Sequence, residues 1–265
     1  MRLAAVLGDP IGHSRSPALH GHWLARHGID GAYVPLRVPP ERLAEVLRLL
    51  PVLGFAGCNV TIPHKEAALA LADAATARAR RIGAANTLWF VDGRVHADCT
   101  DGEGFLASLR SGSDWTPDRP ALVLGAGGAA RGVVDALVEA GVPEVRVANR
   151  TRRKSDALAE AFPRCVAMDW PGDMGDAGLL ANTTALGMTG QPSLEVALDA
   201  LPRDAVVCDI VYVPEETGLL AAARARGNPV VGGIGMLLHQ AVPGFERWFG
   251  VRPVVDEALR RAVLG

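Results

Sequence analysis

Three polar segments and one glycine-rich loop hold the residue types that can do chemistry. The first segment is Gly8-Asp9-Pro10-Ile11-Gly12-His13-Ser14-Arg15-Ser16-Pro17, with two hydroxyls at i and i+2. Alternate residues of an extended stretch point the same way, so Ser14 and Ser16 can grip a carboxylate together. The competing reading gives Ser16 only the task of capping the helix that follows. The second segment, Asn59-Val60-Thr61-Ile62-Pro63-His64-Lys65, sits at the C-terminal end of a strand, where α/β sheets place their ligands. A lysine is ordinarily a solvated charge, but one that follows a buried strand and a proline can be held in a cleft. The third sets Asn86-Thr87 against Asp98-Cys99-Thr100-Asp101-Gly102, again polar residues at strand ends.

The loop Gly125-Ala126-Gly127-Gly128-Ala129-Ala130-Arg131 fits G-x-G-x-x-G/A. Gly125 makes the tight turn, Gly127 admits the backbone to a pyrophosphate, and Ala130 keeps helix and strand close. A helix N-terminus there offers unpaired N–H groups and a partial positive charge to phosphates. Glycines alone occur in any tight turn; here a buried strand, Ala121–Leu124, precedes them and an Ala/Val-rich helix follows. The next strand bears on the cofactor. NAD enzymes usually end it with an acid that accepts from the ribose hydroxyls. This one ends Val147-Ala148-Asn149-Arg150-Thr151 and runs into Arg152, Arg153 and Lys154, so cations stand where an acid would. Arg150 can stack on adenine or pair with a 2′-phosphate, with Thr151 and Lys154 completing the cradle. Read alone, the run is equally a solvated basic loop; downstream of the glycine turn it points to NADP.

These residues need a frame, and the frame reads as strands alternating with helices. Strands are expected at Leu3–Leu7, Ala32–Val38, Phe55–Thr61, Asn86–Val91 and Val95–Ala97, with Asp92-Gly93 as a hairpin turn. Helices are expected at Pro17–His27, capped by Ser16, at Glu41–Leu50, from near Pro63 to Leu71, and from Asp101 to about Leu109. The polar stretch 111–120 is the candidate domain boundary. Strands then recur at Val145–Ala148, Leu179–Asn182 and Val206–Val211. Helices at Ile234–Phe249 and Asp256–Leu264 are surplus to a doubly wound unit and are expected to return to the first domain. The architecture is therefore α/β with parallel sheets in two domains: an N-terminal α/β substrate domain, 1–110, completed by terminal helices within 234–265, and a Rossmann-type doubly wound NADP domain, 118–233.

Bulk properties narrow the function. With 27 basic and 29 acidic residues in 265, the net charge of −2 leaves no electrostatic footprint for nucleic acid or an anionic membrane. No apolar run approaches the roughly 20 residues that span a bilayer. The opening Met1–Gly8 lacks the long apolar region of a signal peptide and reads as a strand. Four separated cysteines without a CxxC pair argue against a zinc site or disulfide framework and suit a cytoplasmic location. His13, His20, His22 and His27 lack metal-ligand spacing and read as surface and loop histidines, so no metal is expected.

Together the motifs resemble the shikimate dehydrogenase family along the whole chain. GDPIGHSRSPALH, NVTIPHK, Gly83-Ala84-Ala85-Asn86-Thr87, GAGGAAR, NRT, Asn182–Met188, Asp209–Thr217 and Gly233–Gln240 are similar to its motifs, in its order. The resemblance implies NADPH-dependent reduction of 3-dehydroshikimate to shikimate in aromatic amino-acid biosynthesis. It implies that Ser14, Ser16 and Tyr212 hold the substrate carboxylate, and that Thr61, Asn86, Asp101 and Gln240 bind its hydroxyls. Lys65 and Asp101 would be the catalytic pair, with Lys65 also touching substrate. Gly125, Ala126, Gly127, Gly128 and Ala129, then Asn149, Arg150, Thr151, Arg152, Arg153 and Lys154, with Ile210 and Gly233, would surround NADP. Hydride delivery to a carbonyl leaves negative charge on oxygen, which an ammonium stabilises while supplying the proton. Two positions depart from the family pattern: Cys99 where asparagine is usual, and Ala77 where some relatives carry an acid. The competing readings are a quinate or aminoshikimate dehydrogenase paralogue and a non-catalytic NADP-binding sensor. Partners are expected to be small molecules, the chain itself a monomer or homodimer.

Overall fold

The computed structural model describes residues 1–12 and 14–265; His13, one of the four N-terminal histidines, lies outside the described residues. The chain divides into two compact units, Met1–Thr100 with Leu238–Gly265, and Asp101–Leu237.

The first unit runs β1 (Arg2–Gly8), α1 (Ser16–Arg26), β2 (Gly31–Arg37), α2 (Leu43–Val52), β3 (Phe55–Val60), α3 (Lys65–Leu71), β4 (Ala74–Ala75), α4 (Ala77–Ile82), β5 (Thr87–Val91) and β6 (Arg94–Asp98). Its strands lie in the order β2-β1-β3-β5-β6-β4. Strand–helix alternation predicts a parallel sheet, and β1 does pair parallel with β2 and β3. The sheet is nevertheless mixed, because β5 runs antiparallel to both β3 and β6. The Asp92-Gly93 turn imposes the β5–β6 pairing: both residues are left-handed, φ 50° and 73°, as a two-residue type I′ hairpin requires. One sheet face is sealed by Leu43, Leu47 and Leu50 of α2 and Ala68 of α3, packed with Leu7, Val60 and Leu88.

The second unit runs α5 (Asp101–Gly112), β7 (Ala121–Leu124), α6 (Gly128–Glu139), β8 (Val145–Ala148), α7 (Arg152–Ala161), β9 (Cys165–Met168), β10 (Leu179–Asn182), β11 (Val206–Asp209), α8 (Gly218–Arg226) and β12 (Val230–Val231). Then α9 (Gly233–Phe249) starts in this unit and continues into the first, which α10 (Glu257–Leu264) completes. Six strands, all parallel, lie in the order β12-β11-β10-β7-β8-β9. Every residue of β7, β10 and β11 is buried, which is why these strands read as unbroken apolar runs rather than alternating ones. The unit starts at Asp101 rather than in the polar stretch 111–120. α5 packs on α6 at backbone contact: a Cβ on Gly102 would lie 2.4 Å from the Gly132 carbonyl oxygen. Trp115, within the expected linker, is buried in the same core. Composition alone could not reveal either contact.

The C-terminal segment is latched to α1. The Trp23 indole donates to Val254 O at 3.0 Å, Arg15 donates to Val263 O at 3.2 Å, and Arg26 pairs with Asp256. On the same unit, a Cβ on Gly57 would lie 2.1 Å from the Trp248 indole nitrogen, which instead donates to Leu88 O at 2.9 Å. A glycine on β3 thus lets α9 sit directly against the sheet.

Candidate active site

Ser14 and Ser16 enter the structure differently from a simple cap. α1 begins at Ser16 itself, with Arg15 in the N-cap position and no side-chain capping bond. The capping role expected of Ser16 is therefore overturned: Ser16 is the first residue of the helix and is buried. Ser14 Oγ takes the capping share instead, accepting from Ser16 N at 3.3 Å. The expected helix from near Pro63 begins at Lys65, because His64 N first closes a turn onto Thr61 O at 2.8 Å. His64 is buried, with Nε2 2.8 Å from Val38 O. Thr61 is tied to β1 through Leu7 O at 2.9 Å, and Lys65 O accepts from Ala85 N at 2.9 Å. Thr61 and Lys65 are therefore fixed at the backbone, and both side chains are half-buried.

Asn86 and Gln240, 154 positions apart, are brought together: Asn86 Nδ2 donates to Gln240 Oε1 at 3.2 Å. Asn86 Oδ1 accepts from Thr87 Oγ1 at 2.9 Å, Thr100 N at 2.8 Å and Thr100 Oγ1 at 3.1 Å. Asn59 Nδ2 reaches Asn86 O at 3.0 Å and Thr87 Oγ1 at 3.2 Å. Thr100 Oγ1 also stands 2.8 Å from Gln240 O. Asn86 Oδ1 is thus engaged by three donors inside the protein, and Gln240 Oε1 by one. The residues that build this network, Asn59, Thr87 and Thr100, lie within the polar segments but carry no signal that sets them apart as its members. Tyr33, which joins it, carries none at all: a tyrosine among Ala32, Val34 and Leu36 reads as strand core.

Asp98 ends β6 beneath this network and accepts from Thr76 Oγ1, Arg78 and Cys99 N. Burial by itself raises a carboxyl, yet the Arg78 and Thr76 hydrogen bonds hold Asp98 below the ordinary range. The family departure at Cys99 has a packing explanation, since its side chain is buried with Ala79, Ile82 and Ala84. Ala77, the other departure, is the exposed first residue of α4, whose cap is Thr76. The nearby histidines of α1 are not all surface residues as expected. His20 is fully buried, its ring stacked on Tyr33 at 3.9 Å and close to Trp23 and Phe245.

In the second unit Gly125 follows β7 with φ 107°, and a Cβ there would lie 2.7 Å from Thr183 Oγ1, just after β10. β7 and β10 are adjacent strands from which the chain winds in opposite directions, so this turn stands at the switch point where doubly wound sheets bind ligands. Over Gly127 nothing lies within 4 Å of an added Cβ, and α6 begins at the next residue. The first N–H groups of α6 therefore face an open approach. Ile210 and Gly233 are brought together with no room to spare: a Cβ on Gly233 would lie 2.3 Å from Ile210 O. Asp209 anchors that loop, accepting from Asn182 Nδ2, Val211 N and Thr217 Oγ1. Burial raises its pKa, the opposite outcome to Asp98, because these partners include no cation.

At the end of β8 Asn149 Nδ2 bonds Thr151 O at 3.0 Å and shapes the basic loop. The side chains of Arg150, Thr151, Arg153 and Lys154 are exposed. Arg152 differs: it is paired with Asp156 at 2.9 Å and Asp169 at 2.6 Å. Its guanidinium thus has two carboxylate partners in this structure. With a glycine turn that a Cβ would fill and cations in place of an acid, the residues present fit NADP. Asp101 and Tyr212 belong to this unit, whereas Ser14, Ser16, Thr61, Lys65, Asn86 and Gln240 belong to the first. Among the described residues no helix is long and apolar enough to cross a membrane, and no three His, Cys, Asp or Glu form a metal-binding group.

A sheet wound in this order, turned by glycine at its switch point and carrying cations after its second strand, places the chain among the dinucleotide-dependent oxidoreductases. Comparison with known proteins gives the family. Residues 6–88 match the shikimate dehydrogenase substrate binding domain, 110–169 the shikimate / quinate 5-dehydrogenase model, and 233–264 the shikimate 5′-dehydrogenase C-terminal domain. The NADP(+) shikimate dehydrogenase of Dinoroseobacter shibae is 61% identical, over 99% of this chain and 97% of its own. Among solved structures, the Thermus thermophilus shikimate 5-dehydrogenase in complex with NADP(H) and shikimate is 39% identical with a TM-score of 0.91, covering 100% of this chain and 99% of that one. A Corynebacterium glutamicum quinate dehydrogenase in complex with NAD is 30% identical with a TM-score of 0.88, covering 99% and 98%. This chain belongs to the shikimate dehydrogenase family.

Proposed function

We infer that this chain catalyses the reversible, NADPH-dependent reduction of 3-dehydroshikimate to shikimate, a step of aromatic amino-acid biosynthesis. The observation that carries the cofactor choice is the end of β8, where Asn149-Arg150-Thr151 replaces the ribose-binding acid and Arg150 is exposed. Gly125, Ala126, Gly127, Gly128 and Ala129 hold the pyrophosphate against the start of α6. Arg150, Thr151, Arg153 and Lys154 take the 2′-phosphate, and Arg152 orders the loop through Asp156 and Asp169. Ile210 and Gly233 border the nicotinamide end. When bound, NADPH supplies the hydride.

The chain's own residues supply the rest. Ser14, Ser16 and Tyr212 bind the carboxylate through hydroxyls. Thr61, Asn86, Asp101 and Gln240 bind the ring hydroxyls. Lys65 donates a hydrogen bond to the ketone oxygen, stabilises the charge that gathers there, and gives up the proton that completes the alcohol. Asp101 orients the ammonium and shares in that proton exchange. In the oxidative direction the same proton returns to Lys65.

The test is Lys65→Met, which keeps the stem and removes the charge. General acid–base groups contribute about 10²–10⁴-fold, so kcat falls by that order while NADP+ affinity, read by fluorescence titration, is unchanged. A Lys65→Met protein with near-normal kcat removes the lysine from the mechanism.

A further inference from the structure

A buried carboxylate with no part in the chemistry described so far ends β11. Asp209 is fully buried, and its three hydrogen-bond donors, Asn182 Nδ2 at 2.9 Å, Val211 N at 3.0 Å and Thr217 Oγ1 at 2.7 Å, are all neutral. Burying an ionised group among neutral donors costs free energy, so stability alone is a poor reason for a carboxylate here. The placing of its oxygens is a better one. Oδ1 accepts from Asn182 and Val211, while Oδ2 accepts from Thr217. An asparagine would fill the same space, but it would turn an amide N–H₂ toward one of these donors. Only a carboxylate accepts at both corners.

What those two corners join is a loop. Residues 212–216 are half-buried or exposed, whereas Val211 and Thr217 at the two ends are buried. Asp209 bonds both ends and so closes the base of the loop. Asn182 extends the closure to the turn after β10. Its Nδ2 also donates to Leu186 O at 3.3 Å, and its Oδ1 accepts from Thr184 N at 3.0 Å and Thr184 Oγ1 at 2.7 Å. The two loops are joined a second time where Thr189 N donates to Val213 O at 2.8 Å. Ile210 lies inside this clasp. Its N–H donates to Asn182 O at 3.1 Å, and its carbonyl lies where a Cβ on Gly233 would come within 2.3 Å. Toward β7, Thr183 Oγ1 donates to Leu124 O at 2.7 Å, immediately before the Gly125 turn. One set of bonds therefore fixes the loops after β7, β10 and β11, adjacent strands at the switch point.

We propose that Asp209 is a positioning residue for the dinucleotide, closing the base of the 210–217 loop so that Ile210 stands at a fixed place against the nicotinamide end. The proposal rests on the NADP reading of the glycine turn and on Ile210 as a border of the nicotinamide. Asp209 touches neither cofactor nor substrate in this scheme. Its loss weakens the grip on the nicotinamide half and leaves the adenosine half, held by the loop after β8, as it was.

Asp209→Asn, Thr217→Val and Thr217→Ser in the full chain test it, by calorimetric titration with NADP+ and with adenosine 2′,5′-bisphosphate, a fragment that keeps the 2′-phosphate and lacks the nicotinamide. Loss of one hydrogen bond to a charged acceptor predicts an NADP+ Kd raised about tenfold in Asp209→Asn and in Thr217→Val. The fragment Kd stays within about twofold of wild type in both. Thr217→Ser keeps the hydroxyl and binds NADP+ as the wild type does. Thr217 also caps α8, so Thr217→Val lowers the melting temperature whatever its effect on the loop. The fragment separates the two roles, because a merely structural loss weakens both ligands together or neither. Wild-type NADP+ affinity in Asp209→Asn or Thr217→Val, equal weakening of both ligands, or a Thr217→Ser as poor as Thr217→Val overturns the proposal. Should Asp209→Asn fail to fold, the two Thr217 variants decide it alone. A wild-type protein that binds neither ligand overturns instead the NADP reading beneath it.

Discussion

Two buried carboxylates and one buried imidazole show how far local surroundings decide the state of a side chain. Asp98 is held ionised by the Arg78 guanidinium and Thr76, while Asp209, bonded only to neutral donors, is pushed the other way by burial. Among the described residues His20 has no hydrogen-bond partner on either ring nitrogen, and burial lowers its pKa to about 3. In the unfolded chain the same ring takes a proton below its ordinary pKa of 6.5. Its contribution to stability is therefore complete above that value and is lost as pH falls toward 3. Across that window the dependence is about 1.4 kcal/mol per pH unit. Urea unfolding at pH 6, 5 and 4 should show stability falling more steeply in the wild type than in His20→Phe, by about that slope. Parallel profiles for the two proteins would mean that His20 is protonated in the folded state. Neither the burial of His20 nor the Tyr33–Asn59 hydrogen bond could be read from sequence, because both depend on aromatic residues of α9 or on strands remote in the chain.

The elements that place the cofactor depend on backbone freedom at one turn. Gly125 has φ 107° and faces Thr183 Oγ1, so an alanine there meets both strain and a clash. Strain of this kind costs about 1–3 kcal/mol, and at roughly 2–4 °C per kcal/mol Gly125→Ala should lower the melting temperature by several degrees. The NADP+ KM should rise at least about tenfold, because the turn presents the pyrophosphate site. A variant with wild-type melting and NADP+ KM would show that the loop adapts and that the close approach is incidental. This turn was legible in the sequence, as were β7, β8 and β10, because a strand buried on both faces leaves a continuous apolar run that ends at glycine or polar residues. α4 was not: Ala-Arg-Ala-Arg-Arg-Ile has no apolar period and is held by the Thr76 cap and the Asp98–Arg78 pair. The two-residue strands β4 and β12 are too short to carry any pattern. The Asp92-Gly93 hairpin was readable, yet its consequence, an antiparallel strand at the centre of the first sheet, follows only once β5 is seen to pair with β3.

At the scale of the molecule, function was more legible than packing. Motifs spread from Gly8 to Gln240 name the chemistry, since ligand-binding residues must keep their types, whereas the positions that join them are set by contacts across hundreds of residues. Asn86 and Gln240 lie 154 positions apart, and Arg15 reaches a helix end 248 positions away. Shikimate is proposed to be oxidised with NADP+, and the basic loop after β8 to select that cofactor. Initial rates of shikimate oxidation with NADP+ and with NAD+ test this most directly, with quinate as the competing substrate. A charge-assisted contact to the 2′-phosphate contributes about 1.5–3 kcal/mol, so kcat/KM should be at least about tenfold higher with NADP+ than with NAD+. Shikimate should also be turned over in preference to quinate. Equal kcat/KM for the two cofactors, or quinate oxidised in preference to shikimate, would contradict the account.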